Sequence, residues 1–350
     1  MLNTTRISHP MLAFVTTGGA TSTTAIAGAR PARYPRKAGS PTSPGRAIRT
    51  RLPPMRLPTV YLALLLVQIL FALHYVAAKW VLQTMPAPAW VALRVGGTAL
   101  LLIAVTWRHW RQWPRDIGTW LHVALLALFG VVLNQVLFIE GLSRTWPSHS
   151  ALINTSIPVS TLLLAVALGR EDLGWRKLVA LGLSLSGVIW LLGTSGFDLS
   201  STTLTGDVMC LINATSFSLY LVLSRRIMGR LSPAVVTPMM FLIGSIPVGI
   251  YGASSLAQLD WAAVPNSIWW VGLAIVIGPT AGTYLLNNWA LARTDSSQVA
   301  LFIYLQFLLA APLSALLLDD PVSWRLVPAA LLVFAGVLLS TRAKRRRSPA

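Results

Sequence analysis

From residue 58 onward the chain is a succession of apolar runs of about 17–24 residues, separated by short polar breaks. An apolar stretch of roughly 18 residues or more with few charges is long enough to cross a bilayer as a helix. The pattern predicts helices over 58–82, 89–107, 118–140, 148–169, 177–193, 206–227, 234–252, 267–289, 297–318 and 326–341. Ten spans return the C-terminus to the side of the N-terminus, so the expected fold is an all-α polytopic membrane protein. Residues 1–57 break the pattern: they are rich in Thr, Ala, Pro, Gly and Arg and contain no Asp or Glu. The apolar run at 11–15 is too short to span, and it lacks the long apolar centre of a secretory signal. The expectation is a disordered, basic, cytoplasmic N-terminus. An Arg-rich, acid-free leader also fits a transit peptide, and MRLPTVYLALLL, beginning at Met55, also reads as a start of the chain.

The runs repeat. LSRTWPSHSAL at 142–152 aligns with LARTDSSQVAL at 291–301, and the same offset of 149 carries Trp175 and Arg176 onto Trp324 and Arg325. Earlier in the chain the offset is 145, so that Tyr75 meets Tyr220 and Pro88 meets Pro233. The chain therefore reads as two five-helix copies, 58–193 and 206–341, followed by a basic cytoplasmic tail at 342–350. Five is odd, so the second copy enters the membrane upside down. The loops agree: the uncharged loop at 83–88 matches the one holding Arg225, Arg226 and Arg230, and the basic loop at 108–115 matches the acidic one at Asp260. Inverted repeats are characteristic of secondary transporters, whose site lies near the midplane between the copies.

Composition sharpens this. The chain is 55% hydrophobic and 11% charged, against about 25% charged in soluble domains. Its net charge of +18 would suit a nucleic-acid binder only if the cations shared one soluble face. They lie instead in short clusters between apolar runs, so no nucleic-acid partner is expected. With the N-terminus inside, the inner loops hold the Arg groups at 46–56, 108–115, 170–176, 225–230, 293 and 342–347, while the outer loops hold only Arg144 and Arg325. Basic residues mark the cytoplasmic side, which predicts an inner-membrane protein with both termini cytoplasmic. Cys210 is the single cysteine, so no intrachain disulfide and no Cys-based metal site can form. The five His have no metal-ligand spacing, and no nucleophile motif or nucleotide-binding loop is present. No catalytic residue, metal or cofactor is expected.

Candidate chemistry lies in polar residues at membrane depth, where every hydrogen-bonding group needs a partner or water. Gln68, Ala72, Tyr75 and Lys79 fall at spacings of four, three and four, as do Asn213, Phe217, Tyr220 and Ser224 at offset 145. Each set lies on one helical face. The stripes face either a shared, wetter space or partner helices that they bind by hydrogen bonds. A charge at the bilayer centre costs from about 2.5 to about 17 kcal/mol, yet Lys79 and Arg94 are both kept. Lys79 lies near the outer end of its helix and can also snorkel. Arg94 sits about 9 Å into its helix at 1.5 Å per residue, opposite Met239 in the other copy. An anionic substrate group suits it. So does an internal partner, Glu140, which could instead pair with Arg144. Gln135, Asn154, Tyr304 and Gln306 complete the expected cavity; Asn134, Tyr284, Asn287 and Asn288 are further polar residues at depth. His74, one position off the stripe, reads as packing, and the Trp residues near helix ends read as interfacial anchors.

The stretches YVAAKWVL, PAPAWVALR, NQVLFIEGLSRTWPSHSALINTSIPV with LGRE, NNWALARTDSSQVALFIYLQ and FAGVLLSTRAKRR resemble the drug/metabolite transporter superfamily, specifically EamA-type permeases with two tandem five-helix repeats. The resemblance covers about residues 58–345. It implies a secondary transporter working by alternating access, exporting an amino acid or related small polar or amphipathic compound, with a gradient of a coupling ion such as the proton as energy source. A passive facilitator or channel is the alternative, a membrane-embedded enzyme a more distant one. The family usually has Pro after the Tyr-Leu-Gln of the ninth helix; here Phe307 stands there, while the first copy keeps Pro158. That puts a break in the ninth helix in question.

Overall fold

The computed structural model describes residues 57–169, 202–294, 296–320 and 326–345, with scattered positions between 174 and 190 and Trp324. The basic N-terminal segment, most of the fifth expected helix and the end of the C-terminal tail lie outside the described residues. The described chain is helical: α1 Leu57–Leu82, α2 Ala87–Val105, α3 Ile117–Arg144, α4 Pro147–Asn154, α5 Ile157–Ala167, α6 Thr202–Met228, α7 Pro233–Ala257, α8 Asn266–Leu291, α9 Ser296–Leu301, α10 Tyr304–Leu318 and α11 Leu326–Arg345. Among the described residues, seven helical stretches are long and apolar enough to cross a membrane, with α4 and α5 together forming one of them, and α10 and part of α11 are shorter apolar helices.

Local chemistry explains the helix starts. Prolines stand in the first turn of α2, α4, α5 and α7, where the missing N–H would have had no helical partner. Asp116 caps α3 by accepting the Thr119 N–H at 2.8 Å, and its hydrogen bonds with Thr119 hold its carboxyl below the usual range. Ser232 caps α7 through the Ala234 N–H.

Two departures from regular helix recur at repeat-related places. π segments interrupt α3 at Leu128–Val132 and α8 at Val276–Gly282, overlapping at offset 149. The expected helix 148–169 breaks between α4 and α5, where the Thr155 and Ser156 N–H groups bond three residues back rather than four. The expected helix 297–318 breaks in the same way at Phe302 and Ile303, between α9 and α10. The second break is therefore present without the family proline. Phe307 is buried and packs on Phe334, so tertiary packing accommodates the turn that Pro158 favours in the first copy.

Packing follows the same pairing. α2 lies along α7, α1 packs on α8 and α10, and α6 packs on α3, α4 and α5. α3 and α6 approach closely at paired glycines. A Cβ on Gly206 would stand 2.8 Å from the Gly141 carbonyl oxygen and 2.9 Å from the Thr145 nitrogen, so only glycine lets these backbones meet.

Candidate functional site

A half-open pocket lies among α1, α2, α3, α4, α5, α6, α8 and α10. Six of the sequence candidates line it: Tyr75, Arg94, Gln135, Asn154, Asn213 and Gln306. Phe71, Phe138 and Phe217 supply apolar wall, and no Asp or Glu stands among the lining residues.

One hydrogen-bonded chain runs around the wall. Gln306 Nε2 donates to Gln68 Oε1 at 2.6 Å, and Tyr75 Oη donates to Gln306 Oε1 at 3.2 Å. Asn154 Nδ2 donates to Tyr75 Oη, and Asn213 Nδ2 donates to Asn154 Oδ1 at 3.3 Å. Asn134 Nδ2 donates to Asn213 Oδ1 at 2.6 Å, and Gln135 Nε2 donates to Tyr284 Oη at 2.7 Å. Satisfied polar networks of this kind hold side chains in one arrangement. Both π segments serve the cavity. A π turn frees a carbonyl from the helical ladder and commonly marks a functional site. Tyr284 Oη donates to the Gly130 carbonyl in the first. In the second, the Thr280 hydroxyl donates to the Ile275 carbonyl at 2.9 Å and accepts Arg94 Nε at 3.0 Å.

Arg94 is 2% exposed, and its Nη1 has no partner. Its guanidinium carbon lies 6.0 Å from the Phe138 ring centroid, near the limit of a cation–π contact. Glu140 does not reach it. Glu140 forms an ion pair with Arg144, four residues on, and accepts Tyr251 Oη at 2.7 Å. The two outcomes left open for Glu140 thus resolve to Arg144, because the two side chains share one face of α3. Two other lining atoms lack partners, His74 Nε2 and Gln135 Oε1. Buried polar groups left unpaired cost about 1–3 kcal/mol each, and these three lie around one pocket.

The remaining candidates lie elsewhere. Gln68 is one bond behind the wall. Lys79 Nζ donates to the carbonyls of Leu142 and Thr145 at 2.8 Å each, at the end of α3. It neither snorkels nor joins Arg94. Tyr220 Oη donates to Asn288 Oδ1, and Asn288 Nδ2 to the Thr237 hydroxyl at 2.9 Å. Tyr304 packs on Phe334 with its hydroxyl buried and unpartnered. His74, read from the sequence as packing, both stacks on Phe138 at 5.3 Å and lines the cavity. The stripe rule misses it by one position, or 100° of helix rotation. Among the described residues, no cluster of three or more His, Cys, Asp or Glu could hold a metal.

The chain resembles known proteins over this whole region. A transporter of Archaeoglobus fulgidus, named only as an uncharacterized transporter, is 26% identical over 69% of this chain and 83% of its own length. The uncharacterized transporter YcxC of Bacillus subtilis is 23% identical over 60% of this chain and 71% of its own. The threonine/homoserine exporter RhtA of Escherichia coli is 26% identical over 75% of this chain and 83% of its own. A solved crystal structure aligns with a TM-score of 0.58 at 20% identity, covering 83% of this chain and 99% of that one, which establishes a shared fold. The EamA-like transporter family model matches residues 58–193 and again 204–342. This multi-pass membrane protein therefore belongs to the EamA-like transporter family, within the drug/metabolite transporter superfamily, and is a transporter rather than an enzyme.

Proposed function

We propose that the chain is a secondary transporter exporting a small carboxylate-bearing metabolite, an amino acid or related compound, across a bacterial inner membrane. The observation that carries this is Arg94: a buried guanidinium with an unpartnered Nη1, in a cavity lined by no carboxylate. A guanidinium holds a planar carboxylate in two parallel bonds, and His74 Nε2 and Gln135 Oε1 stand ready for the substrate's other polar groups. The threonine/homoserine exporter among the relatives agrees with an amino-acid cargo.

The mechanism is alternating access between two inverted five-helix repeats in a ten-helix bundle. Repeat-related residues meet at the cavity: Gln135 bonds Tyr284, its own equivalent at offset 149. Asn154 with Ile303, and Ile157 with Gln306, are equivalent pairs on its lining. Both broken helices bracket it, and discontinuous helices at the repeat interface are where transporters bind substrate. The Arg residues at 108, 111, 115, 225, 226, 230 and 293 fall at the end of the bundle opposite Lys79, which supports cytoplasmic termini.

The test has two steps. Gene deletion and overexpression, with profiling of the medium, identify the exported compound. Counterflow of that compound in proteoliposomes then separates a carrier from a facilitator, because only a carrier shows flux accelerated by substrate on the far side. Unchanged medium profiles, or an exported compound without an anionic group, would sink the proposal.

A further inference from the structure

At the end of the bundle where α1, α3 and α10 finish, buried and half-buried side chains from three elements converge on residues 145–149, the connection between α3 and α4 together with the first turn of α4. From α1, Lys79 Nζ donates to the Leu142 and Thr145 carbonyls. From α6, the fully buried Asp207 accepts the Thr145 hydroxyl with one oxygen and faces His149 Nδ1 at 3.2 Å with the other. From beyond α10, Asp320 accepts the Ser148 N–H at 3.0 Å and the Ser314 hydroxyl at 2.7 Å. Asp320 reaches back because Asp319 takes the left-handed conformation, φ 51°, which ends α10. Both halves of the chain thus grip one short connection, away from the central cavity.

Among the described residues, the charges do not balance without a proton. Lys79 brings one positive charge; Asp207 and Asp320 bring two negative ones. Arg144 and Glu140 cancel as a pair. With neutral His149 the cluster keeps one net negative charge out of water. With the imidazolium it is neutral. An unbalanced buried charge costs several kcal/mol, by order of magnitude, and a proton held by the pair of His149 and Asp207 removes that imbalance. A second observation agrees: Asp320 Oδ1 and Ser148 Oγ are buried without partners, which leaves an anionic cluster here under-solvated. The His149 side chain is 16% exposed and that of Asp207 0%, so the imidazole is the group that meets solvent.

We infer that the pair formed by His149 and Asp207 is a proton-binding site, and that its protonation latches this end of the bundle shut. Among the described residues, the titratable and charged groups facing it are Lys79 from α1, Glu140 and Arg144 from α3, and Cys210 from α6 itself. Tyr251 of α7 acts through Glu140, and Asp319 and Asp320 follow α10. Imidazole is the side chain whose charge ordinarily changes between about pH 5 and 8. Rising pH therefore removes the proton, exposes the imbalance and loosens the grip. The site itself stands without the transport reading; only its role as a gate rests on that reading.

The probe is the proton alone. Full-length protein in proteoliposomes on a solid-supported membrane is jumped from about pH 8 to about pH 6, across the imidazole range, with no substrate present. Wild type should give a transient displacement current, and so should His109→Gln at the opposite end. His149→Gln and Asp207→Asn should fall to the level of empty liposomes. His149→Lys keeps the charge balance but cannot titrate in this range, so it should purify normally and give no current. Cys210, one turn from Asp207 and the chain's single cysteine, reads the latch. At one fixed alkaline pH, a small uncharged thiol reagent should label wild type faster than His149→Lys. No current in wild type, or a current that survives in His149→Lys, overturns the proton site. Equal labelling rates overturn the latch. Failed counterflow with a normal current would leave this site standing and remove only the transport reading.

Discussion

Replacing Arg94 by Met puts the second repeat's own residue, the buried Met239, at the equivalent place in the first. Without substrate, Arg94 makes one hydrogen bond, from Nε to Thr280 at 3.0 Å, and leaves Nη1 unpaired. Thr280 keeps its own bond to the Ile275 carbonyl, so the substitution orphans no hydroxyl donor. Exchanging buried ionic groups for apolar ones of similar volume is often neutral or stabilising by about 1–4 kcal/mol. Arg94→Met should therefore melt at or above the wild-type temperature. With substrate the sign reverses. A hydrogen bond to a charged group contributes about 1.5–3 kcal/mol, which at 1.4 kcal/mol per tenfold is a loss of about 10- to 150-fold in affinity. Thermal unfolding of the purified protein and half-saturation of counterflow measure the two effects. Adding Glu140→Gln should not restore transport, since Glu140 is already bound to Arg144 and Tyr251. Recovery in the double mutant, or a lower melting temperature with unchanged transport, would refute substrate anchoring and make Arg94 structural.

In a Cys210→Ser background, single cysteines at 75 and 213, on the cavity wall, should react with small water-soluble thiol reagents; cysteines at 220 and 224, fully buried behind it, should react much more slowly. Equal rates would mean that the cavity is not wetted. Gly206→Ala places a methyl 2.8 Å from the Gly141 carbonyl oxygen and should destabilise by about 1–3 kcal/mol, read as a lower melting temperature, whereas Gly249→Ala, with open space around it, should not. A topology reporter fused after Arg230 should be cytoplasmic and one near Asp260 external; the reverse would overturn the orientation.

The sequence by itself determined the class of molecule, the repeat and the faces. Apolar run length, the offsets of 149 and 145 and the two polar stripes are local or periodic properties, and helical geometry converts them into buried faces without knowledge of neighbours. Tyr75 and Asn213 were placed on the cavity wall in that way. The tertiary structure decided the partners. Lys79 and Arg94 look alike as cations in apolar helices, yet one caps α3 and the other faces the cavity. Tyr75 and Tyr220 are repeat equivalents, yet only Tyr75 lines the cavity; Tyr220 is held against Asn288. The break at Phe302 and Ile303 formed without its proline, and the π segment that frees Gly130 holds no proline either, whereas the one around Thr280 is marked by Gly278 and Pro279. The reason is geometric: a helix's own periodicity fixes which side chains share a face. How far that helix is rotated and which neighbour it meets depend on close approaches such as Gly141 to Gly206, made between residues 65 positions apart in the chain.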